Sequence, residues 1–302
     1  MMDRRQFVKI AASLSAAFGL SGLPEPVTAA LRRIDPRTVP TLLYLQGQSC
    51  SGCSISLLQA QHPAPLTLIT KYSRLAFHAD LSASSGGQAM ALIERYCRGE
   101  AGDYLLALEG AIPERMPQAC KIGDVTLASL LESAARTMTA AVAIGACACD
   151  GGIPGAEGNQ TGAVGLPEFL AKRQVDKPVV RIRGCSVHPD WVWQTVVNLV
   201  EIGMPELTEA GSPQRFFSRT VHETCPRYHD FQQEIFAARL GDSGCLFNLG
   251  CLGPLTMADC SSRWWNGGTT WCINDNAPCV GCASPIFAKR KDLPFYRMKK
   301  KA

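Results

Sequence analysis

Upstream of residue 205, apolar β-rich runs alternate with stretches of helical period. The runs are Thr41–Leu45, Leu66–Thr70, Tyr104–Leu108, Ala141–Ile144 and Val179–Ile182. Between and after them the pattern predicts helices over about residues 53–61, 87–98, 126–138, 166–173 and 190–202. Strands that alternate with helices imply a parallel sheet wound by right-handed crossovers. The expected fold class is α/β, with a flavodoxin-like parallel sheet.

Beyond residue 205 the periodicity fades. Gly, Pro, Cys, Asn and Trp take over, as in residues 245–254 (CLFNLGCLGP) and 264–268 (WWNGG). A region so small and irregular needs staples, and metal clusters would supply them, because binding to an unformed site is folding energy. Three segments are expected: 1–30 as a cleaved leader, 31–204 as the flavodoxin-like domain, and 205–302 as a small irregular domain that binds clusters.

The leader reading rests on Asp3-Arg4-Arg5-Gln6-Phe7-Val8-Lys9, a twin-arginine pattern, followed by a weakly apolar stretch from Ile10 to Leu23 and small residues at Thr28-Ala29-Ala30. That stretch is too short and too rich in Ala, Ser and Gly to span a bilayer, and no run of about 20 apolar residues follows residue 282. A periplasmic protein without its own transmembrane anchor is expected. Loss of residues 1–30 removes three positive and two negative charges and lowers the net charge from +4 to +3. That is too mild to imply nucleic acid as a partner. Basic residues cluster at Lys289-Arg290-Lys291 and Lys299-Lys300-Lys301. They read as a solvated tail, with docking to a partner or an anionic membrane surface as the other reading.

The chain has 14 cysteines in 302 residues. In an exported protein disulfides are the ordinary reading. Against them stand the twin-arginine address, which carries proteins already folded around cofactors, and two C-x-x-C pairs. The sulfurs of Cys50/Cys53 and Cys279/Cys282 reach one metal centre more readily than a disulfide partner. Twelve ligand-type residues fall in three sets of four: Cys50, Cys53, Cys147 and Cys185; His222, Cys225, Cys245 and Cys251; Cys260, Cys272, Cys279 and Cys282. A lone C-x-x-C fits zinc or redox chemistry about as well as iron–sulfur. Two of them, with eight further candidates, point to a line of iron–sulfur clusters, and zinc or disulfide staples remain the alternative. Cys50 and Cys53 follow the first strand, Cys147 the fourth and Cys185 the fifth. In an open α/β sheet the carboxyl ends of strands converge on the ligand-binding crevice, so residues distant in sequence can share one cluster.

These residues resemble the small, electron-transferring subunit of nickel-iron hydrogenases over nearly the whole chain. The likeness runs through the twin-arginine leader, Leu45-Gln-Gly-Gln-Ser-Cys50-Ser-Gly-Cys53-Ser54, Glu109-Gly-Ala-Ile-Pro113, Gly145-Ala-Cys147-Ala148 and Gly151-Gly-Ile-Pro154. It continues through Gly184-Cys185, His188-Pro-Asp-Trp191, His222-Glu-Thr-Cys225-Pro-Arg227, Cys251-Leu-Gly-Pro254 and Pro278-Cys279-Val-Gly-Cys282. The resemblance implies that Cys50, Cys53, Cys147 and Cys185 hold a proximal 4Fe-4S cluster nearest the partner's active site. It implies likewise that His222, Cys225, Cys245 and Cys251 hold a distal 4Fe-4S cluster near the surface. Replacing a thiolate by neutral imidazole there tends to raise the potential.

Several positions depart from the family pattern. Many members hold a medial 3Fe-4S cluster on three cysteines, with proline at the place of a fourth ligand; here that place is Cys272. A medial 4Fe-4S cluster on Cys260, Cys272, Cys279 and Cys282 is expected, with a free Cys272 beside a 3Fe-4S cluster as the other outcome. Oxygen-tolerant relatives add two cysteines around the proximal cluster, at the places of Gly52 and Gly152, so the six-cysteine proximal cluster is not expected. Cys149 reads as a bystander, and Cys97 and Cys120 as buried thiols. Ile55 stands where the family usually has an acidic residue, and Leu252 where it has Lys.

The two C-x-x-C pairs lack the flanking Arg and the DPC-type start of the family's nickel site, which lies in a separate large subunit. The implied function is an electron relay within a hydrogenase, as part of a hydrogen:acceptor oxidoreductase. Electrons would pass from that large subunit through proximal, medial and distal clusters to an acceptor such as a cytochrome or a membrane redox subunit. No general acid, base or nucleophile is required of this chain. Glu109 reads either as a neighbour of the proximal site or interface, or as an ordinary strand-end carboxylate. The analogous proximal-cluster subunit of complex-I-like enzymes is the runner-up, but it leaves the eight ligand-type residues after position 205 unexplained.

Overall fold

Five parallel strands organise the chain: β1 (Thr41–Gln46), β2 (Arg74–Phe77), β3 (Tyr104–Glu109), β4 (Ala140–Ile144) and β5 (Val179–Ile182), in spatial order β2-β1-β3-β4-β5. This is the flavodoxin-like order, whose strand sequence reverses between β1 and β3. The helices are α1 (Gly52–Leu57), α2 (Gly86–Cys97), α3 (Leu127–Thr137), α4 (Gly145–Asp150), α5 (Leu166–Lys172) and α6 (Pro189–Glu201). The computed structural model describes residues 40–67 and 72–289, which lie in one unit spanning Val39–Ala302. The twin-arginine segment and the basic residues from Arg290 onward lie outside the described residues.

Four of the five strands form where the apolar runs predict them. The run at 66–70 does not form the second strand: Pro65–Thr67 is a helical turn, residues 68–71 lie outside the described residues, and the strand is Arg74–Phe77. Proline supplies the reason. Pro65 has no N–H for a strand ladder, while its fixed φ suits the first position of a helical turn. α1 stops at Leu57, short of the expected residue 61, and α4 is an element that periodicity does not announce.

Both faces of the sheet are covered, which is why its strands are apolar on both sides. One face sends Leu43, Leu45, Leu106 and Leu108 against Ile93 of α2, Leu130 and Leu131 of α3, and Phe169 of α5. Burying each such leucine is worth about 1.5–3 kcal/mol. The other face sends Leu42, Tyr44, Val142, Val180 and Ile182 against Leu57 of α1 and Trp191 and Val196 of α6. That second cluster continues into the later part of the chain through Phe216, Val221, Leu246, Ala258, Trp271 and Ile273.

Past residue 205, the described helical structure is limited to Gln214–Phe217, Tyr228–Gln232, Cys260–Arg263 and isolated 3-10 turns. Backbone bonds in turns and isolated bridges, such as Val221 N to Thr256 O at 2.8 Å and Ala237 N to Cys245 O at 3.0 Å, order this region in place of long regular elements. No helix among the described residues is long and apolar enough to cross a membrane.

Candidate metal centres

The carboxyl ends of β1, β4 and β5 carry the first ligand set. The strands pair so that Gln46, Glu109, Ile144 and Ile182 form one row at the sheet edge. Beyond it, Cys50 and Cys53 lie at the entry to α1, Cys147 lies in α4, and Cys185 lies on the loop before α6. α4 can start directly after β4 because Gly145 adopts φ +82°, a left-handed value that a β-carbon disfavours. A β-carbon there would also stand 2.6 Å from Cys53 Sγ. The next residue, Ala146, donates its N–H to Gly184 O at 2.8 Å, which ties the Cys147 segment to the Cys185 segment. Gly152 has φ +53°, and a β-carbon on it would stand 2.6 Å from Cys147 Sγ. No side chain fits there without moving that sulfur.

All fourteen cysteines are free thiols. In the first set, Cys53 is close enough to feel the charge of Cys147 and Cys185, and Cys147 and Cys185 both feel Cys50. Burial raises all three thiols, Cys147 to about 12, and the neighbouring thiols add to the rise. Thiols crowded and buried in this way stay protonated on their own and would ionise with a cationic centre among them, since bound metal reverses the local preference. The donor set therefore fits an iron–sulfur group. Among the described residues no three His, Cys, Asp or Glu side chains converge on a single metal ion. A polynuclear cluster, whose irons can each take a separate thiolate, does not call for such convergence.

His222, Cys225, Cys245 and Cys251 line one small cavity with Arg227, Leu246, Gly253 and Ile273. Cys225 and Cys245 are raised by burial and both feel Cys251. Burial pushes the His222 imidazole down, favouring the neutral form that a metal binds. The ring is wedged edge-on against Phe231 and Tyr228, with centroids 4.5 and 5.0 Å away.

In the third set, Cys260 feels Cys282 and Cys279, while Cys279 and Cys282 both feel Cys272. The exposed Cys272 is thus brought beside the buried pair rather than left apart. Burial pushes Cys279 to about 11 and Cys282 to about 12. The three groups adjoin one another. Cys185 of the first gives its N–H to the Cys282 sulfur of the third. Cys251 of the second is felt by both Cys272 and Cys279, and its neighbour Leu252 donates to Cys279 O at 2.7 Å. Three of the sulfurs also receive an N–H from two residues onward: Arg227 to Cys225 at 3.4 Å, Phe247 to Cys245, and Gly281 to Cys279.

Two supporting groups stand out. Glu109 is 2% exposed and accepts from Cys53 N at 3.1 Å, Ser54 N at 3.1 Å, Tyr44 OH at 2.8 Å and the Ser54 hydroxyl. It is therefore a neighbour of the first set, holding the entry to α1 against the sheet. Arg183 is not marked by any sequence pattern, yet it is 3% exposed and grips Asp150 through two bonds of 2.7 and 3.0 Å. It also donates to Ser212 Oγ and Ala210 O. Its position two residues before Cys185, with Asp150 three after Cys147, is the signal that could have marked it: an ion pair joining two ligand-bearing segments. Cys149 is buried and turned toward Ala143 O at 3.3 Å, as a bystander would be. Cys97 is buried, whereas Cys120 is only half-buried.

A family model for the C-terminal part of the NiFe/NiFeSe hydrogenase small subunit matches residues 217–296. A second, described as NADH ubiquinone oxidoreductase, 20 Kd subunit, matches residues 50–199 and stops before the second and third ligand sets. The periplasmic NiFeSe hydrogenase small subunit of Desulfomicrobium baculatum is 36% identical, with 98% of each chain covered. The hydrogenase-2 small chain of Escherichia coli K12 is 33% identical over 93% of this chain and 76% of its own. Among solved structures, the H2-activated NiFeSe hydrogenase of Dm. baculatum superposes with a TM-score of 0.78 at 36% identity, covering 87% of this chain and 100% of that one. The actinobacterial-type NiFe hydrogenase of Ralstonia eutropha H16 gives 0.79 at 30% identity, covering 91% and 86%.

Proposed function

The chain belongs to the small-subunit family of the NiFe and NiFeSe hydrogenases, and from that premise we propose which residues carry its relay. Small subunits of this family are iron–sulfur electron-transfer proteins, and the catalytic site lies in the large subunit with which they pair. In our reading Cys50, Cys53, Cys147 and Cys185 bind a proximal 4Fe-4S cluster. Cys260, Cys272, Cys279 and Cys282 bind a medial one, and His222, Cys225, Cys245 and Cys251 a distal one. Bound there, the clusters would supply one-electron redox centres between the large subunit and an external acceptor.

The observation that carries this reading is the adjacency of the groups, first to third through Cys185 and Cys282, third to second through Cys279 and Cys251. That order supports a middle place for the set containing Cys272. At the proximal end, Cys50 and Cys185 are exposed, and Ile55 and Leu58 beside them are 59% and 52% exposed. This apolar rim around ligand cysteines suits coverage by the large subunit. At the distal end, His222 sits under Tyr228 and Phe231, with Ile235 and Phe247 exposed nearby, where a cytochrome or membrane redox subunit would accept electrons. The twin-arginine pattern at Arg4-Arg5, with a relative named periplasmic, supports export to the periplasm.

The test falls on Cys272. The purified complex is oxidised and examined by electron paramagnetic resonance and iron analysis. A medial 4Fe-4S cluster leaves the oxidised small subunit without a strong isotropic three-iron signal, and Cys272→Pro creates that signal with the loss of one iron. A wild-type three-iron signal near one spin per protein would remove Cys272 from the ligand set.

A further inference from the structure

The chain has five tryptophans. Four of their indole N–H groups have acceptors: Trp191 gives to Asp259 Oδ1 at 2.7 Å, Trp193 to Leu57 O at 3.0 Å, Trp264 to Ser261 O at 2.8 Å, and Trp265 to the Cys260 sulfur. Trp271 is the exception. It is 3% exposed, and its Nε1 is buried without an acceptor among the described residues. A buried donor left without a partner costs about 1–3 kcal/mol, and native proteins keep few of them.

The place of this donor suggests its partner. Trp271 directly precedes Cys272, and its side chain belongs to the buried cluster that holds Cys279, with Cys251, Cys260 and Trp265 packed against it. Of these, Cys260 and Cys279, like the adjoining Cys272, belong to the proposed medial site, yet no sulfur among the described residues accepts the Trp271 N–H. The group still to be accounted for at that site is the cluster itself, which brings sulfur atoms of its own.

We propose that the indole N–H of Trp271 donates a hydrogen bond to an inorganic sulfide of the medial cluster and thereby raises its reduction potential. The inference rests on the medial assignment made above. Its physical basis is that a reduced cluster carries one more negative charge than an oxidised one, so a donor aimed at its sulfur stabilises the reduced form more. Trp265 acts on the same site differently, through a ligand thiolate. Trp271 is a positioning and tuning residue and takes no part in bond making.

The test uses the complex with its large subunit, in wild type and as Trp271→Phe, which keeps an aromatic ring and deletes the N–H. Redox-poised electron paramagnetic resonance should show the medial midpoint moved to lower potential, with proximal and distal midpoints and iron content unchanged. A second measurement uses 15N-labelled tryptophan: the wild-type medial signal should carry exchangeable-proton and indole-15N couplings from two tryptophans, of which Trp271→Phe removes one and leaves that of Trp265. An unmoved medial midpoint overturns the tuning. A medial coupling pattern that Trp271→Phe leaves unchanged overturns the bond, including the case in which a water molecule takes the N–H. Absence of any medial cluster from wild type would instead sink the ligand assignment, so the two failures are distinguishable.

Discussion

Gly145→Ala should detach Cys53 from the proximal site while leaving the rest of the protein folded. The added methyl meets two penalties. Gly145 sits at φ +82°, where a β-carbon costs about 1–2 kcal/mol. The same carbon would stand 2.6 Å from Cys53 Sγ, roughly 1 Å inside an ordinary contact, and overpacking of this kind adds typically about 1–3 kcal/mol. The total, about 2–5 kcal/mol, is below the stability of most domains. The cheaper escape is rotation of the Cys53 side chain, because Gly145 is locked between β4 and α4 while the thiol can turn. Strain would therefore appear as a lost ligand. Iron should fall toward the content of two clusters, with the proximal signal lost and the medial and distal signals kept. Gly86→Ala is the control, since Gly86 has φ +56° with nothing within 4 Å of the added carbon. It should lose stability alone. Full iron content and an unshifted proximal spectrum in Gly145→Ala would refute the reasoning.

Arg183→Met leaves the half-buried Asp150 without its partner, and breaking the pair from one side should destabilise by about 1–3 kcal/mol in urea unfolding. The double variant Arg183→Met/Asp150→Leu should recover much of that loss; no recovery would mean that the pair is not the source. Removing iron with a chelator should raise amide hydrogen exchange between residues 218 and 285 far more than in β1, β3 and β4, because the sheet keeps its own core. Equal exposure of both regions would contradict the idea that ligands are what order the later segment.

Much of the fold was legible because parallel strands must be apolar and helices must be periodic. The run at 66–70 misled because it is apolar enough for a strand, yet Pro65 diverts it into a helical turn and the ladder is taken by Arg74–Phe77. α4 escaped notice because Gly145-Ala-Cys-Ala-Cys-Asp150 is too short to show a period. The gathering of Cys50, Cys53, Cys147 and Cys185 could be anticipated from one rule, that strand ends in a parallel sheet share a rim. The role of Trp271 could not, since it depends on a buried donor without an acceptor, and for Arg183 and Asp150 nearness to Cys185 and Cys147 hints at a place but not at which atom meets which across 33 residues. Sequence spacing carries no such information for side chains outside a regular element.

The meeting of Cys185 and Cys282 also bears on how the two regions depend on each other. Cys282 packs with Ala146 and Ile153, and its sulfur takes the Cys185 N–H, so a cysteine of the third set is seated on the rim that carries the first. On the other side, Leu252 N bonds Cys279 O, so the Cys279 segment is the base on which Cys251 of the second set stands. If the ligand sets are as proposed, the contacts that order the irregular region follow the same line as the electrons. Loss of the proximal rim would then disturb the medial site next, whereas damage at His222 would stop at the surface. This asymmetry distinguishes a relay built outward from the sheet from three independent clusters that happen to share one chain.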